Sequence, residues 1–331
     1  MIELICLGIE STAHTFGIGV VDEKGKVLAN EKSSLSKNET GFIPRELVEH
    51  HSENSRKVIE AALQKANVSI KEIDLVSFSQ GPGIGQALRV GAATARTLSL
   101  LHGIPFIGVN HSISHIEIGK KMEKTLDPIS CYASGANSQI IGFESGYYRV
   151  HGETLDMGLG NLLDSFGREI GLGFPAGPKL DEMYLKGKKL IELPYNVKGM
   201  DLIFSGLLTS CSKKIGKESN EDLAYSLIQT SFSMIVEVTE RALAHTGKNE
   251  VLLVGGVGAS KILQGMLKEM CNERGAKFFV PERQFLVDNG AMIAWTGILS
   301  FKSGNRMKIS ESIVKPKQRA DAVKVTWKER N

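Results

Sequence analysis

CLGIESTAHTFGIGVVDEKGKV, residues 6–27, and CYASGANSQIIGFESGYYRV, residues 131–150, are written to one plan. Each opens on an apolar strand and passes through a turn of small residues. A second strand, a tight turn and a third strand follow. The same supersecondary unit at two distant places predicts a duplicated α/β fold of two lobes with a cleft between them; two unrelated α/β units are the other reading. In open α/β sheets, ligands gather at the carboxyl ends of the strands, so those turns are where chemistry is expected.

Outward from the first stretch, Leu4–Ile9, Phe16–Val21 and Lys26–Ser33 read as strands and Arg45–Lys65 as a long helix. Asp74–Gln80 is a strand that ends in the loop Gly81-Pro82-Gly83-Ile84-Gly85; a helix follows from about Gln86 to Leu101, then strand Phe106–Val109 and a helix from His111. Outward from the second, the strands Ile129–Ala133, Gln139–Glu144 and Tyr147–Leu155 precede a helical region. Strand Val251–Val254, helix Lys261–Glu273, strand Lys277–Val280 and helix Asp288–Ser300 complete the pattern. Glycine accounts for 35 of 331 residues and clusters after strands, where it lets backbone approach a ligand or another backbone.

With 42% hydrophobic residues the chain can bury one large core or two ordinary ones. Its net charge of +3 gives no strong overall field, but Phe301–Asn331 holds nine Lys/Arg against three Asp/Glu. That basic tail is either a nucleic-acid contact or a solvated surface segment. The four cysteines, Cys6, Cys131, Cys211 and Cys271, are widely spaced, which fits a reducing compartment and leaves no CxxC metal knuckle. No signal peptide is read at the N-terminus and no apolar run reaches the ~18 residues of a membrane span, so a soluble cytoplasmic protein is expected.

Four constellations carry possible chemistry. His111 and His115, four residues apart, share one helix face and are spaced to hold a metal. A zincin protease needs Glu directly after the first histidine, and Ser112 stands there. The turn Tyr132-Ala133-Ser134-Gly135-Ala136-Asn137 offers backbone amides to a phosphate or acyl oxygen, or is an ordinary hairpin turn. Leu253–Ser260 runs from strand through glycines into a helix, which is a nucleotide turn or a close-packing turn, and it is neither a P-loop nor a Rossmann fingerprint. Asp288 opens the last helix as its N-cap or as a metal ligand.

These residues, with further ordered blocks, resemble one family end to end. The blocks are Leu7-Gly8-Ile9-Glu10-Ser11-Thr12-Ala13-His14, Pro44-Arg45-Glu46 with His50-His51, and Gly81-Pro82-Gly83 with Leu88-Arg89-Val90-Gly91. They continue with Gly171-Leu172-Gly173-Phe174-Pro175 and the C-terminal Arg319–Trp327. The chain is similar to the tRNA threonylcarbamoyladenosine transferases of the archaeal and eukaryotic branch, the catalytic subunits of the KEOPS complex, once described as O-sialoglycoprotein endopeptidases. The resemblance implies a duplicated actin-like ATPase (ribonuclease H-like) fold with a central cleft. Lobes of 1–125 and 126–300, the second with a helical insertion, and a basic tail 301–331 packing back on the body are expected.

By the family's motifs, His111, His115, Tyr132 and Asp288 bind one divalent metal, iron(II) first and zinc as the alternative. Nucleotide contacts fall to Tyr132, Ala133, Ser134, Gly135, Ala136, Asp164, Gly177, Asp181 and Ser260. Asp181 replaces the usual Glu, Ser260 the usual Asn and Ala136 a usual Gly. No catalytic side chain is assigned, and no covalent enzyme intermediate is expected. The substrate implied is threonylcarbamoyl-AMP, with ATP or ADP analogues as further ligands, and the acceptor is tRNA. A small atypical protein kinase and two small accessory subunits are the implied partners, and no membrane is involved. No fused kinase is read in the chain.

Lys186, Lys188, Lys189 and the basic tail are candidates for the tRNA backbone. The apolar positions Leu47, Val48, Val58, Ile59 and Leu63 of the Arg45–Lys65 helix serve either partner docking or the core. His50 and His51 read as surface or helix-packing residues, and Glu10, Ser11, Thr12 and His14 as lining residues of the first turn. A sugar-kinase reading on the same fold predicts magnesium carboxylates and an ATP-gated chaperone needs no metal set, so neither uses the histidine pair.

Overall fold

The first stretch folds as the three-strand meander its pattern predicts. The computed structural model describes residues 4–35 and 42–328. In it β1 (Ile5–Glu10) pairs antiparallel with β2 (Thr15–Asp22), and β2 with β3 (Val27–Ser34). Asp22 makes the tight turn: its Oδ1 accepts the amides of Lys24 at 3.0 Å and Lys26 at 2.8 Å, and Gly25 takes the left-handed conformation. Helix α1 (Pro44–Ala66) starts at a proline and stops at left-handed Asn67. Strand β4 (Leu75–Gly81), α2 (Gly85–His102), β5 (Phe106–Asn110) and α3 (His111–Glu123) follow. The sheet order is β3-β2-β1-β4-β5, with β1, β4 and β5 parallel.

The second stretch repeats the plan as β6 (Ile129–Ala133), β7 (Ser138–Glu144) and β8 (Tyr147–Glu153). The helical insertion holds α4 (Leu159–Glu169), α5 (Gly177–Tyr184), the short β9 (Val197–Lys198) and β10 (Asp201–Leu202), α6 (Ser205–Ser212) and α7 (Asn220–Thr246). Then come β11 (Glu250–Val254), α8 (Lys261–Glu273), β12 (Lys277–Phe279) and the one-turn α9 (Arg283–Leu286). Read from β8, this sheet runs β8-β7-β6-β11-β12, with β6 parallel to β11 and β11 to β12. The two sheets therefore have the same topology, and the duplication is real.

The chain divides into two compact units: Met1–Met122, Glu144–Tyr148 and Val287–Asn331 in one, Glu123–Phe143 and Arg149–Leu286 in the other. The last helix, α10 (Gly290–Lys302), and the segment after it belong to the first unit. Residues 329–331 of the basic tail lie outside the described residues. Among the described residues no helix is long and apolar enough to cross a membrane.

Helix α10 lies on β1 and β2 at backbone distance. A Cβ at Gly19 would fall 2.1 Å from the Ala291 amide nitrogen, and one at Gly8 2.2 Å from that of Ala294. Ser77 Oγ fixes the helix further by donating to the Ile293 carbonyl at 2.8 Å. On the meander side, Leu47, Val58 and Ala62 of α1 are buried, and Ile59 and Leu63 pack against the same core. Of the apolar positions weighed for docking, Leu47, Val58, Ile59 and Leu63 serve the core, and Val48 is half-buried.

His50 and His51 also pack inward. His51 is fully buried, and its Nε2 lies 3.0 Å from the Ala13 carbonyl, so Nε2 carries the proton and donates. Its Nδ1 then accepts from His50 Nδ1 at 3.0 Å, and His50 Nε2 accepts from the Ser33 hydroxyl at 3.0 Å. A proton on His51 Nδ1 would face the His50 N–H. Burial and then the neighbouring His50 accordingly lower His51 to about 4.

Two predictions follow from these contacts. Gly19→Ala should destabilise the first unit by about 3 kcal/mol, because backbone on both sides must move; an unchanged urea midpoint would show that α10 shifts freely. For His51, the unfolded chain takes up a proton near pH 6.5 that the folded chain refuses until about 4. Stability is lost as pH falls through that window, by roughly 3 kcal/mol for this residue. Urea titrations of wild type and His51→Gln should converge or cross as pH drops from 6.5 to 4, and a constant difference would exclude the neutral chain.

Candidate metal centre and nucleotide turn

Strand β5 ends at Asn110, whose Oδ1 accepts the Ile113 amide at 3.1 Å and so caps α3. Helix α3 thus starts with no intervening loop. His111 takes its first position at the carboxyl end of β5, and His115 lies one turn further on. Both are buried, their rings 4.8 Å apart and nearly perpendicular. The third group comes from the far end of the chain. Asn289, not Asp288, caps α10: its Oδ1 accepts the Met292 amide at 2.9 Å. This corrects the N-cap reading of Asp288 and leaves its carboxylate for the histidines. Its Oδ1 lies 3.3 Å from His115 Nε2 and 3.5 Å from His111 Nε2. One nitrogen or oxygen from each of the three residues lies within 4.8 Å of the others.

Glu10 stands behind His111. It is fully buried at the end of β1, with Oε2 2.9 Å from His111 Nδ1. Its Oε1 accepts the Thr12 amide at 2.7 Å and the Thr12 hydroxyl. Nδ1–H therefore donates to Glu10, and Nε2 is the nitrogen that faces Asp288. Burial opposes charge on His111, but Glu10 and then Asp288 outweigh it and raise His111 to about 9. Burial also lowers His115, with His111 adding repulsion against the pull of Asp288. Asp288, despite its burial, is held well below the usual carboxylate range by the hydrogen bond to His115 and both imidazoles.

Sequence reading placed Glu10 only as a lining residue. No spacing relates position 10 to position 111; the parallel order β1-β4-β5 puts those strand ends on one side of the sheet. Tyr132, the fourth ligand implied by the resemblance, is buried near the end of β6 in the other unit.

In that unit the Ser134–Asn137 turn is partly self-satisfied. The Ser134 amide donates to the Asn137 carbonyl at 2.9 Å, and the Asn137 amide to Ser134 Oγ at 3.3 Å. Those two N–H groups are not the ligand donors expected of them. Gly135 and Ala136 are exposed at the tip. The turn is clamped from below by the start of α4, where the Gly160 and Asn161 amides donate to the Ser134 and Gly135 carbonyls at 3.0 Å each. A Cβ at Gly158 would strike the Gly135 carbonyl at 2.4 Å, and one at Gly255 the Ala133 carbonyl, at the end of β6, at 2.4 Å.

Of the other nucleotide candidates, Asp164 Oδ1 accepts the Ala176 amide at 2.9 Å, just before Gly177 opens α5. Ser260 caps α8 through the Leu263 amide. Asp181 is raised by burial, with a hydrogen bond from Ser260 opposing, and its Oδ1 has no hydrogen-bond partner. Of the basic candidates, Lys189 is paired with Glu218 at 2.9 Å, whereas the Lys186 and Lys188 side chains are exposed.

The fold has clear counterparts among solved structures. HypF from T. kodakarensis matches with a TM-score of 0.64 at 16% identity, over 91% of this chain and 48% of that one. Component A of the Acidaminococcus fermentans (R)-2-hydroxyglutaryl-CoA dehydratase matches at 0.56 and 12%, over 89% and 98%. The architecture is the duplicated actin-like ATPase fold.

Sequence comparison is more specific. Residues 26–295 match the family model TsaD, described as tRNA N6-adenosine threonylcarbamoyltransferase. The Thermococcus sibiricus protein of that description is 54% identical over 98% of this chain and its own full length. The Methanothermobacter thermautotrophicus "probable bifunctional tRNA threonylcarbamoyladenosine biosynthesis protein" is 50% identical over 98% of this chain, which spans 61% of that longer protein. The chain belongs to the TsaD family of tRNA N6-adenosine threonylcarbamoyltransferases, and is a transferase of tRNA modification.

If Glu10 orients His111, Glu10→Ala should weaken cobalt(II) binding about 10–100-fold in equilibrium dialysis. Glu10→Gln should fall between that variant and wild type. Equal affinities in all three would remove Glu10 from the centre.

Proposed function

We propose that the chain transfers the threonylcarbamoyl group of threonylcarbamoyl-AMP to the exocyclic amine of the adenosine just 3′ of the anticodon, tRNA position 37. The tRNAs are those reading codons that begin with A. It acts as catalytic component of a KEOPS complex, with a small atypical protein kinase and two small accessory subunits. The observation that carries this reading is the His111–His115–Asp288 cluster, backed by Glu10, in a chain of this family. The longer bifunctional relatives support a chain that works beside a second activity.

Two imidazoles and a carboxylate suit a divalent ion with nitrogen and oxygen ligands, iron(II) first and zinc as the alternative. Such an ion, when bound, supplies Lewis acidity for polarising an acyl oxygen. The resemblance adds Tyr132 to the ligands. In the second unit, the amides of Gly135 and Ala136 would meet the phosphate or the developing oxyanion. Asp164, Gly177, Asp181 and Ser260 would hold the nucleoside, and the same residues would take ATP or ADP analogues. Lys186, Lys188 and the basic tail would meet the tRNA backbone.

Direct transfer, without an acyl-enzyme, is supported by the cysteines. All four are buried, and burial pushes Cys6, Cys131 and Cys211 up to about 12 and Cys271 to about 11. None is a thiolate nucleophile at neutral pH.

The test is reconstitution. The chain, its partner subunits, threonine, bicarbonate, ATP, a threonylcarbamoyl-AMP synthase and unmodified tRNA are combined, and the digested nucleosides are weighed. Adenosine should gain the threonylcarbamoyl mass, and His111→Ala should slow the gain at least about 100-fold while tRNA still binds. Absence of the mass gain with wild type overturns the proposal. Tyr132→Phe, compared for bound iron, tests the ligand that the resemblance adds.

A further inference from the structure

Residues 303–328 leave α10 and run back over the first unit as a strap. Its two ends are tied together: Ser303 Oγ lies 2.6 Å from Thr326 Oγ1, and Asn305 Nδ2 donates to Thr326 Oγ1 at 3.0 Å. Between them the strap grips the end of β4. The Lys315 amide donates to the Gln80 carbonyl at 2.7 Å, and Gln80 Nε2 donates to the Glu311 and Ile313 carbonyls at 3.1 and 2.8 Å. It then meets α3 twice. Asn110, the residue capping α3, donates from Nδ2 to the Gln318 carbonyl at 3.3 Å. Further along α3, Glu117 Oε1 accepts Trp327 Nε1–H at 3.0 Å and the Tyr148 hydroxyl at 2.6 Å.

Glu117 is 4% exposed on a helix whose other buried side chains include Ile113, Ile116 and Ile118. Burying a carboxyl there is costly unless its oxygens are satisfied, and an apolar residue would pack more cheaply. What an apolar residue cannot supply is direction. Two residues beyond His115, Glu117 points roughly 200° around the helix from it. The histidine face of α3 meets Asp288, and the face behind it is hydrogen-bonded to the strap.

We propose that Glu117 and Trp327 form a positioning clamp for the metal centre, fixing the rotation and axial setting of α3 so that His111 and His115 converge on Asp288. The inference rests on the metal reading of those three residues. The strap and Asp288 are the two ends of one continuous segment through α10, so the clamp ties both sides of the centre to the same piece of chain.

The test uses the full-length chain and cobalt(II), read by equilibrium dialysis and by the visible d–d spectrum, with thermal unfolding alongside. Trp327→Phe and Glu117→Ala should weaken cobalt binding about five- to tenfold and alter the d–d bands. Glu117→Gln retains an oxygen acceptor for both donors and should restore affinity and spectrum. Trp327→Phe keeps an aromatic ring in place and guards against simple misfolding. Wild-type binding with unchanged affinity and spectrum in both weakened variants overturns the clamp and leaves the metal reading standing. No cobalt binding by folded wild type overturns both.

Discussion

Everything in the candidate metal centre depends on a backbone-to-backbone contact. Helix α10 approaches β1 and β2 so closely that a single methyl at Gly8 or Gly19 would overlap its main chain. The small residues Gly290, Ala291 and Ala294 line the helix side of that contact, and Gly297 faces Ser77 of β4. At such a separation the helix cannot slide or roll without collision, as close-packed interiors respond to displacements of one methylene. Asp288 immediately precedes Asn289, the residue that caps this helix, and that rigidity helps place its carboxylate 3.3 Å from a histidine 173 positions away in sequence.

The fold was largely legible, because its signal is local and repeated. The strand–turn–strand pattern at Cys6 and Cys131 recurs, and alternation and glycine placement gave most strands within a residue or two. The site was legible in pieces. Helical spacing puts His111 and His115 on one face, and the family resemblance is what singles them out as candidate ligands. Asp288 came from the family resemblance, and residue-level reasoning favoured a capping role that the neighbouring Asn289 performs instead. An Asp-Asn pair before a helix offers two capping side chains, and only packing decides which one turns inward. Likewise Glu10 is one carboxylate at the end of a strand, and its partner is fixed by sheet order, a non-local property.

The charge arrangement explains why the centre is built this way. Glu10 and Asp288 approach His111 from its two nitrogens, so each ring nitrogen faces a carboxylate. The two acids outweigh burial at His111 and raise it to about 9, whereas burial and the neighbouring His111 keep His115 lowered. A divalent ion would replace the proton and meet the same field with twice the charge.

The candidate nucleotide turn is built on a different constraint. Its tip residues Gly135 and Ala136 are exposed, and the backbone around them is satisfied internally. Ser134 and Asn137 close the turn on itself, and the first turn of α4 takes up the Ser134 and Gly135 carbonyls. Glycines at 158, 160 and 255 permit that support to come close. A longer polar loop could offer more donors, but each would cost conformational entropy on binding. This turn is instead held by short-range contacts, so Ala in place of Gly at position 136 adds a methyl to an exposed tip without disturbing the clamp beneath it.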